Sequence, residues 1–297
     1  MTTSIAIADP YHSRQGSFWE CVEREDPVVW GKADGPLSTS KLDQYHENGF
    51  YFDQDLFSAT ESSELLAEAN RLADLADPAD AEVVVEPNNR AVRSVFRVHQ
   101  KSDLFRSICC DPRIVKVARQ FLGGDVYLHQ TRVNFKPGFN GKEFFWHSDF
   151  ETWHVEDGMP RMRAVSVSIA LTENNEFNGP LMVVPGSHHW FVRCVGETPE
   201  KHFEQSLKKQ EYGVPDQEAL QMLVDKGGIQ APKGEAGSAI FFECNLMHGS
   251  SGNLSPYPRS NLFMVFNSVE NAVQEPFGNR PPRPEFLAER DFTPLEG

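Results

Sequence analysis

No stretch of this 297-residue sequence is long and apolar enough to cross a bilayer. The opening Met1-Thr-Thr-Ser-Ile-Ala-Ile-Ala-Asp9 has neither the basic start nor the apolar run of a signal peptide. Cationic side chains are scarce. Lys and Arg number 28 against 43 Asp and Glu, a formal charge of −15, and no basic patch stands out to neutralise phosphates. A nucleic-acid partner is therefore not expected. Cysteine is sparse and unpatterned: Cys21, Cys109, Cys110, Cys194 and Cys244 are odd in number and form no C-x-x-C, which suggests neither a disulfide framework nor a zinc knuckle. A nucleophile-elbow serine, a Walker loop and a dinucleotide glycine pattern are missing as well. These absences point to a soluble, reduced, cytoplasmic protein without a membrane partner. Apolar residues at 39% and aromatics at 11% suffice for a sizeable core, so disorder is not expected.

Length and patterning fit a single domain over 1–297, with an N-terminal wrap and helices over 1–124, a core over 125–270 and a tail over 271–297. Residues 1–40 read as irregular. Ser58-x-x-Glu61 is a capping box opening a helix with the stripe Leu65, Leu66, Ala69, Leu72 and Ala73. Asp111-Pro112 opens a second helix that Gly123-Gly124 ends, and the Cys109-Cys110 pair reads as a buried part of a helix. The period then changes to two. Residues 125–136 read as a strand with Tyr127, His129, Thr131, Val133 and Phe135 on one face and Val126, Leu128, Gln130, Arg132, Asn134 and Lys136 on the other. The run of polar positions Gln130, Arg132, Asn134 and Lys136 is either a solvated sheet face or the wall of a cavity for a polar ligand. Further strands are expected over 161–171, 181–184, 237–245 and 261–269, interrupted by a helical insertion at about 198–228, with helical patterns over 201–210 and 216–226. Helices first, then many short strands, predict a mainly β fold with flanking α-helices and a cupin-like jelly-roll core, a double-stranded β-helix.

His147-x-Asp149 and the distant His248 form the chemical signal. Two imidazoles and a carboxylate are the donor set of a facial triad for Fe(II), and on a strand residues two apart point to the same side, with Ser148 turned away. His248, after the strand ending at Asn245 and just before Gly249-Ser-Ser-Gly252, is placed to close the site from the opposite strand. Arg259 is either a surface arginine between Pro258 and Ser260 or a buried guanidinium in want of an anion. In the second case a dicarboxylate such as 2-oxoglutarate suits its bidentate geometry. His154 reads as a support behind the ligands or as structural, His188 and His189 as bonded to backbone, and Glu151, Glu156 and Asp157 as charges on the rim of the site.

The H-x-D…H…R order resembles the iron(II)/2-oxoglutarate dioxygenases. Asn178-Gly-Pro-Leu-Met-Val-Val-Pro-Gly-Ser-His188 resembles their phytanoyl-CoA hydroxylase-like branch. The long block from Phe144 to Ser166 is similar to the signature of the ectoine hydroxylases within it. The resemblance covers nearly the whole chain from about residue 15. It implies iron on His147, Asp149 and His248, and 2-oxoglutarate near Lys136, Asn134, Phe144, Ser166 and Arg259, with Arg132 able to serve either ligand. It also implies ectoine near Gln130 and Trp153, O2 as the oxidant with 2-oxoglutarate as cosubstrate, and a homodimer. Phe263 and Phe242 are further aromatic walls or plain core. A carboxylate at Asp149, where related halogenases carry a small residue, favours hydroxylation. The implied reaction is 5-hydroxylation of ectoine in compatible-solute biosynthesis, with release of succinate and CO2. The rivals are a hydroxylase of another small zwitterionic amino or imino acid, a non-catalytic osmolyte-binding cupin and, third, a zinc hydrolase.

Overall fold

The computed structural model describes residues 9–32, 34–86, 90–200, 202–206 and 212–297, with backbone only for 205 and 206. Of the helix expected over 201–210, His202–Ser206 is seen, and residue 201 with 207–210 lies outside the described residues, as does the opening segment 1–8. Twelve strands run in chain order among the described residues: β1 Glu20–Glu23, β2 Phe50–Asp53, β3 Val83–Val85, β4 Val92–Phe96, β5 Val126–Lys136, β6 Phe144–His147, β7 Ala164–Ala170, β8 Leu181–Val183, β9 Trp190–Arg193, β10 Ala239–Glu243, β11 His248–Ser250 and β12 Arg259–Ser268. They form a seven-stranded sheet in the order β2-β10-β7-β12-β5-β4-β3, a three-stranded sheet β6-β11-β8 and a ribbon β1-β9, every pairing antiparallel. This is the expected jelly-roll core with helices at its flank.

One face of the large sheet carries the main core. Leu65 and Leu72 of the helix Ala59–Asp74, Phe105, and Ile114 and Phe121 of the helix Pro112–Leu122 pack with Val133, Val167, Ile169, Phe241, Leu262 and Met264. The local signals for those helices hold. Ser58 Oγ accepts from the Glu61 amide while the Glu61 carboxylate accepts from the Ser58 amide, and Asp111 caps the second helix before Pro112. Gly123 closes it in the left-handed region at φ 69°. The Cys109-Cys110 pair straddles a helix end: Cys109 is its buried last residue and Cys110 its cap.

The other face of the large sheet looks toward the small sheet, and Leu181, Val183, Ile240, Phe242, Leu246 and Phe263 fill part of the space between them. Here β5 departs from simple alternation. Gln130 pairs with Val265 but Leu128 pairs with Phe266, so His129 is an extra residue at a β-bulge. A bulge inverts the facing of the residues beyond it. Val126 and Leu128 therefore join Val133 in the helix-side core, whereas Gln130, Arg132 and Asn134 line a cavity on the inner side. The single polar-and-apolar face expected for 126–136 is corrected accordingly. The strand expected over 161–171 begins at Ala164 because Asp26 and Asn271 hold the backbone of Met162 and Arg161 in a loop. The N-terminal wrap contains β1. The tail docks along β5 through the Glu289 amide on His129 O at 2.8 Å and the Leu295 amide on Val126 O at 2.9 Å.

Candidate metal centre and its cavity

His147 ends β6 and pairs in register with His248, the first residue of the neighbouring strand β11. Antiparallel neighbours in register place their side chains on one face, and the two imidazole centroids lie 4.2 Å apart. His248 thus belongs to its own short strand rather than trailing β10. The strand does not continue through Asp149 as expected. Ser148, in extended conformation, caps a helical turn Asp149–Thr152 that runs into a π-helix Trp153–Asp157. Ser148 still turns away, donating to Asn245 Oδ1 at 2.8 Å. The helical turn brings Asp149 back to the histidines, with Oδ1 3.5 Å from His147 Nε2 and Oδ2 3.9 Å from His248 Nε2. One donor atom from each of the three lies within 4.8 Å of the others.

Each histidine is oriented by its own backbone. His147 Nδ1 lies 2.7 Å from Phe145 O and His248 Nδ1 2.9 Å from Leu246 O. A carbonyl only accepts, so both rings carry the proton on Nδ1 and leave the Nε2 lone pair bare for a metal. Burial, and then the neighbouring His147, lowers the His248 pKa to about 4, which keeps its imidazole neutral. Burial alone would raise the Asp149 carboxyl, yet His248 and His147, with Arg132 behind them, hold it below the usual carboxylate range. Ser166 Oγ donates to Asp149 Oδ2 at 3.2 Å. Two imidazoles and one carboxylate, aimed at one point, fit a divalent cation.

The cavity beside this triad is walled by Gln130, Arg132 and Asn134 of β5, Ser94 and Phe96 of β4, Phe144, and Thr152 and Trp153 of the helical segment. Arg132 donates to Gln130 Oε1 and lies over the Phe263 ring at 5.1 Å, and Gln130 Nε2 donates to Leu287 O at 2.7 Å. Lys136, Ser166, Arg259 and Phe263 are not among the residues that line this cavity. Arg259 pairs across β5 and β12 with Lys136. It is 5% exposed, its Nε and Nη1 have no hydrogen-bond partner, and burial pushes its pKa down to about 10. Its surface alternative is excluded. A desolvated guanidinium with unpaired donors is a receptor for an anion. Lys136 Nζ donates to Ser250 Oγ at 2.7 Å and to Ser251 O. Phe242 lies in the inner core, its ring 4.9 Å from His248.

Glu151, Glu156 and Asp157 correct a further expectation. They are buried, not on the rim. Arg14 spans Glu151 and Glu156, and Arg283 grips Asp157 with two bonds of 2.8 and 2.6 Å. Gly158 ends the π-helix at φ 83°, where a Cβ would meet Gln274 O at 2.2 Å. His154 is structural, as read, bonded to Met159 O and Asp9. His188 Nε2 bonds His46 O. The sequence reading missed His202 from the insertion and Arg283 and Leu287 from the tail, all on the cavity wall. No local motif marks them.

Residues 45–261 match the family described as phytanoyl-CoA dioxygenase (PhyH). An ectoine dioxygenase of Bordetella parapertussis is 54% identical over 287 residues, which cover 95% of this chain and 92% of its own. The crystal structure of EctD from S. alaskensis with 2-oxoglutarate and 5-hydroxyectoine is similar at TM-score 0.86 and 47% identity, covering 97% of both chains. The same protein with bound Fe is similar at TM-score 0.85 and 46% identity, again over 97% of both.

Proposed function

Because the chain belongs to the phytanoyl-CoA dioxygenase family, we propose that it hydroxylates ectoine to 5-hydroxyectoine with iron(II), 2-oxoglutarate and O2, releasing succinate and CO2. The observation that carries this reading is the pairing of a tautomer-locked His–Asp–His cluster with a buried guanidinium that lacks an anion. The first fits the metal and the second fits the dicarboxylate. The relatives support the substrate: one is an ectoine dioxygenase, and another is crystallised with 2-oxoglutarate and 5-hydroxyectoine.

His147, Asp149 and His248 would hold the iron. Arg259 would take the far carboxylate of 2-oxoglutarate, with Lys136, Asn134, Ser166 and Phe144 around the molecule and Arg132 between it and the substrate. Bound there, iron and 2-oxoglutarate would activate O2, the oxidant, for attack on an unactivated C–H bond. The chain supplies position and dryness. Trp153 offers a π face to the cyclic amidinium of ectoine, Gln130 a polar contact, and Phe263 backs Arg132. Phe96, Trp153 and Leu287 make the apolar part of a wall that keeps water from the reacting carbon.

In this reading the whole chain acts as one catalytic unit, 125–270 carrying the metal and cosubstrate and the tail completing the wall. It works as a cytoplasmic homodimer in compatible-solute biosynthesis; sedimentation at twice the chain mass would support the dimer. The reaction itself is tested by aerobic incubation with Fe(II), 2-oxoglutarate and ectoine, read by mass analysis. One oxygen added to ectoine with matching succinate supports it. Succinate formation stimulated by proline and not by ectoine would move the assignment to another zwitterion, and ectoine binding without turnover would make the chain a binding protein.

A further inference from the structure

His202, in the insertion between β9 and β10, borders the cavity together with the triad's His147 and Asp149. It is 4% exposed. Its Nδ1 lies 3.0 Å from Glu156 Oε1, and the same oxygen accepts from Arg14 Nη1 at 2.6 Å. Arg14 also holds Glu151 through Nε and Nη2 at 2.9 and 2.6 Å, and Glu151 stands in the helical turn that begins at Asp149. The ring is therefore tied to the element that presents the metal ligand. Burial would raise the Glu156 carboxyl, but His202, Arg283 and Arg14 hold it at about 2, so it is ionised and accepts the Nδ1 proton. In the neutral imidazole that leaves Nε2 as a bare acceptor. Among the described side chains that line the cavity, His202 Nε2 is the one buried polar atom without a partner.

Its chemistry can be matched to one end of a zwitterion. The carboxylate end has a cation in Arg132, whose bond to Gln130 occupies one of five guanidinium donors. The amidinium end needs acceptors, and most on the wall are committed: Gln130 Oε1 to Arg132, Asn134 Oδ1 to Ser94 Oγ at 2.7 Å, Thr152 Oγ1 to Arg14, and Asp149 to the metal cluster. We propose that His202 is a substrate-binding residue whose Nε2 accepts a hydrogen bond from an N–H of the substrate's cyclic amidinium, in a ring orientation fixed by Glu156 and Arg14. This rests on the reading of ectoine as substrate.

The test is anaerobic calorimetric titration of ectoine into the holoenzyme loaded with Fe(II) and 2-oxoglutarate. Wild type, His202→Phe and His202→Gln are compared, each also titrated with 2-oxoglutarate. Loss of one buried hydrogen bond to a charged partner predicts that His202→Phe weakens ectoine binding about 10- to 100-fold with 2-oxoglutarate affinity unchanged. His202→Gln, whose amide reaches where Nε2 sits, recovers most of the loss. Ectoine binding by His202→Phe as tight as wild type overturns the role of His202 and leaves the substrate reading standing. A parallel loss of ectoine and 2-oxoglutarate affinity also overturns it, marking His202 as structural. Wild type that does not bind ectoine removes the substrate reading and the proposed contact together.

Discussion

Arg259 stands directly across the β5–β12 ladder from Lys136, so two buried basic groups sit side by side. Among the described residues no carboxylate pairs with the guanidinium, and burial is the whole cause of its lowered pKa. Such an arrangement is costly until an anion arrives. Arg259→Met should therefore lower 2-oxoglutarate affinity by roughly 100-fold or more, measured by calorimetry. In the ligand-free protein the same substitution should raise the unfolding free energy by about 1–2 kcal/mol, measured in urea. A ligand-free variant less stable than wild type would show that Arg259 has partners that offset its burial.

The pH dependence of stability is set in part by Lys136. Burial, then the Arg259 and Arg93 charges, pushes its pKa down to about 6. The unfolded lysine keeps its proton up to a pH of about 10.4. Between those values the unfolded chain binds more protons than the folded one, so this group's stabilisation is complete above the upper value and lost as pH falls toward 6. Ligand-free protein should therefore become more stable as pH rises through that window, and Lys136→Met should flatten the slope. Binding of the 2-oxoglutarate dianion favours the charged lysine again. Calorimetry in two buffers of different ionisation enthalpy should then show proton uptake on binding above pH 6, absent in Lys136→Met.

Metal removal separates an oxygenase from a binding protein. Chelation should abolish turnover and added Fe(II) should restore it. His248→Ala should lower metal affinity more than about 100-fold, beyond the loss expected from an outer partner, while ectoine binding persists in part. Anaerobic Fe(II) with 2-oxoglutarate should give a visible charge-transfer band in wild type and none in His248→Ala. Zinc-supported hydrolysis without such a band would sink the iron reading.

Some of this was legible in the sequence because the relevant physics is local. The capping box at Ser58 and the Asp111-Pro112 start involve residues a few positions apart, and both are present. His147-x-Asp149 announced its chemistry, but not its geometry, since a helical turn and not a strand returns Asp149 to the histidines. The polar run from Gln130 to Lys136 was visible, yet alternation assumes an unbroken pleat and the bulge at His129 broke it. Glu151 and Asp157 looked like rim charges because their partners, Arg14 and Arg283, stand 137 and 126 residues away. No periodicity or motif encodes such a partner.

Trp153 is the aromatic face proposed for a cationic substrate. It is buried in the π-helix and lines the cavity, its ring meeting His129 edge-on at 5.2 Å between centroids. Trp153→Ala should raise the KM for ectoine about 3- to 30-fold, the range of a desolvated cation–π contact, with the KM for 2-oxoglutarate little changed. Trp153→Phe keeps a weaker π face and should fall in between. Equal effects of both substitutions on both KM values would assign Trp153 to packing alone.

Arg14 holds the active-site helix from a distant part of the chain. Its guanidinium is 1% exposed, bridges Glu151 and Glu156 at 2.6 Å each, and reaches Thr198 Oγ1 at 3.1 Å. The backbone supports this placement at φ 57°, unusual for a non-glycine residue. Removing one partner of a buried ion cluster leaves the other charges desolvated, at a cost of about 3–5 kcal/mol. Arg14→Met should lower the unfolding free energy by that order in urea. Because the stranded charge is the cause, Arg14→Met combined with Glu151→Gln should recover part of the loss, a coupling read from the double-mutant cycle. Strictly additive losses would mean that Arg14 acts by packing and backbone shape, not by neutralising the two carboxylates.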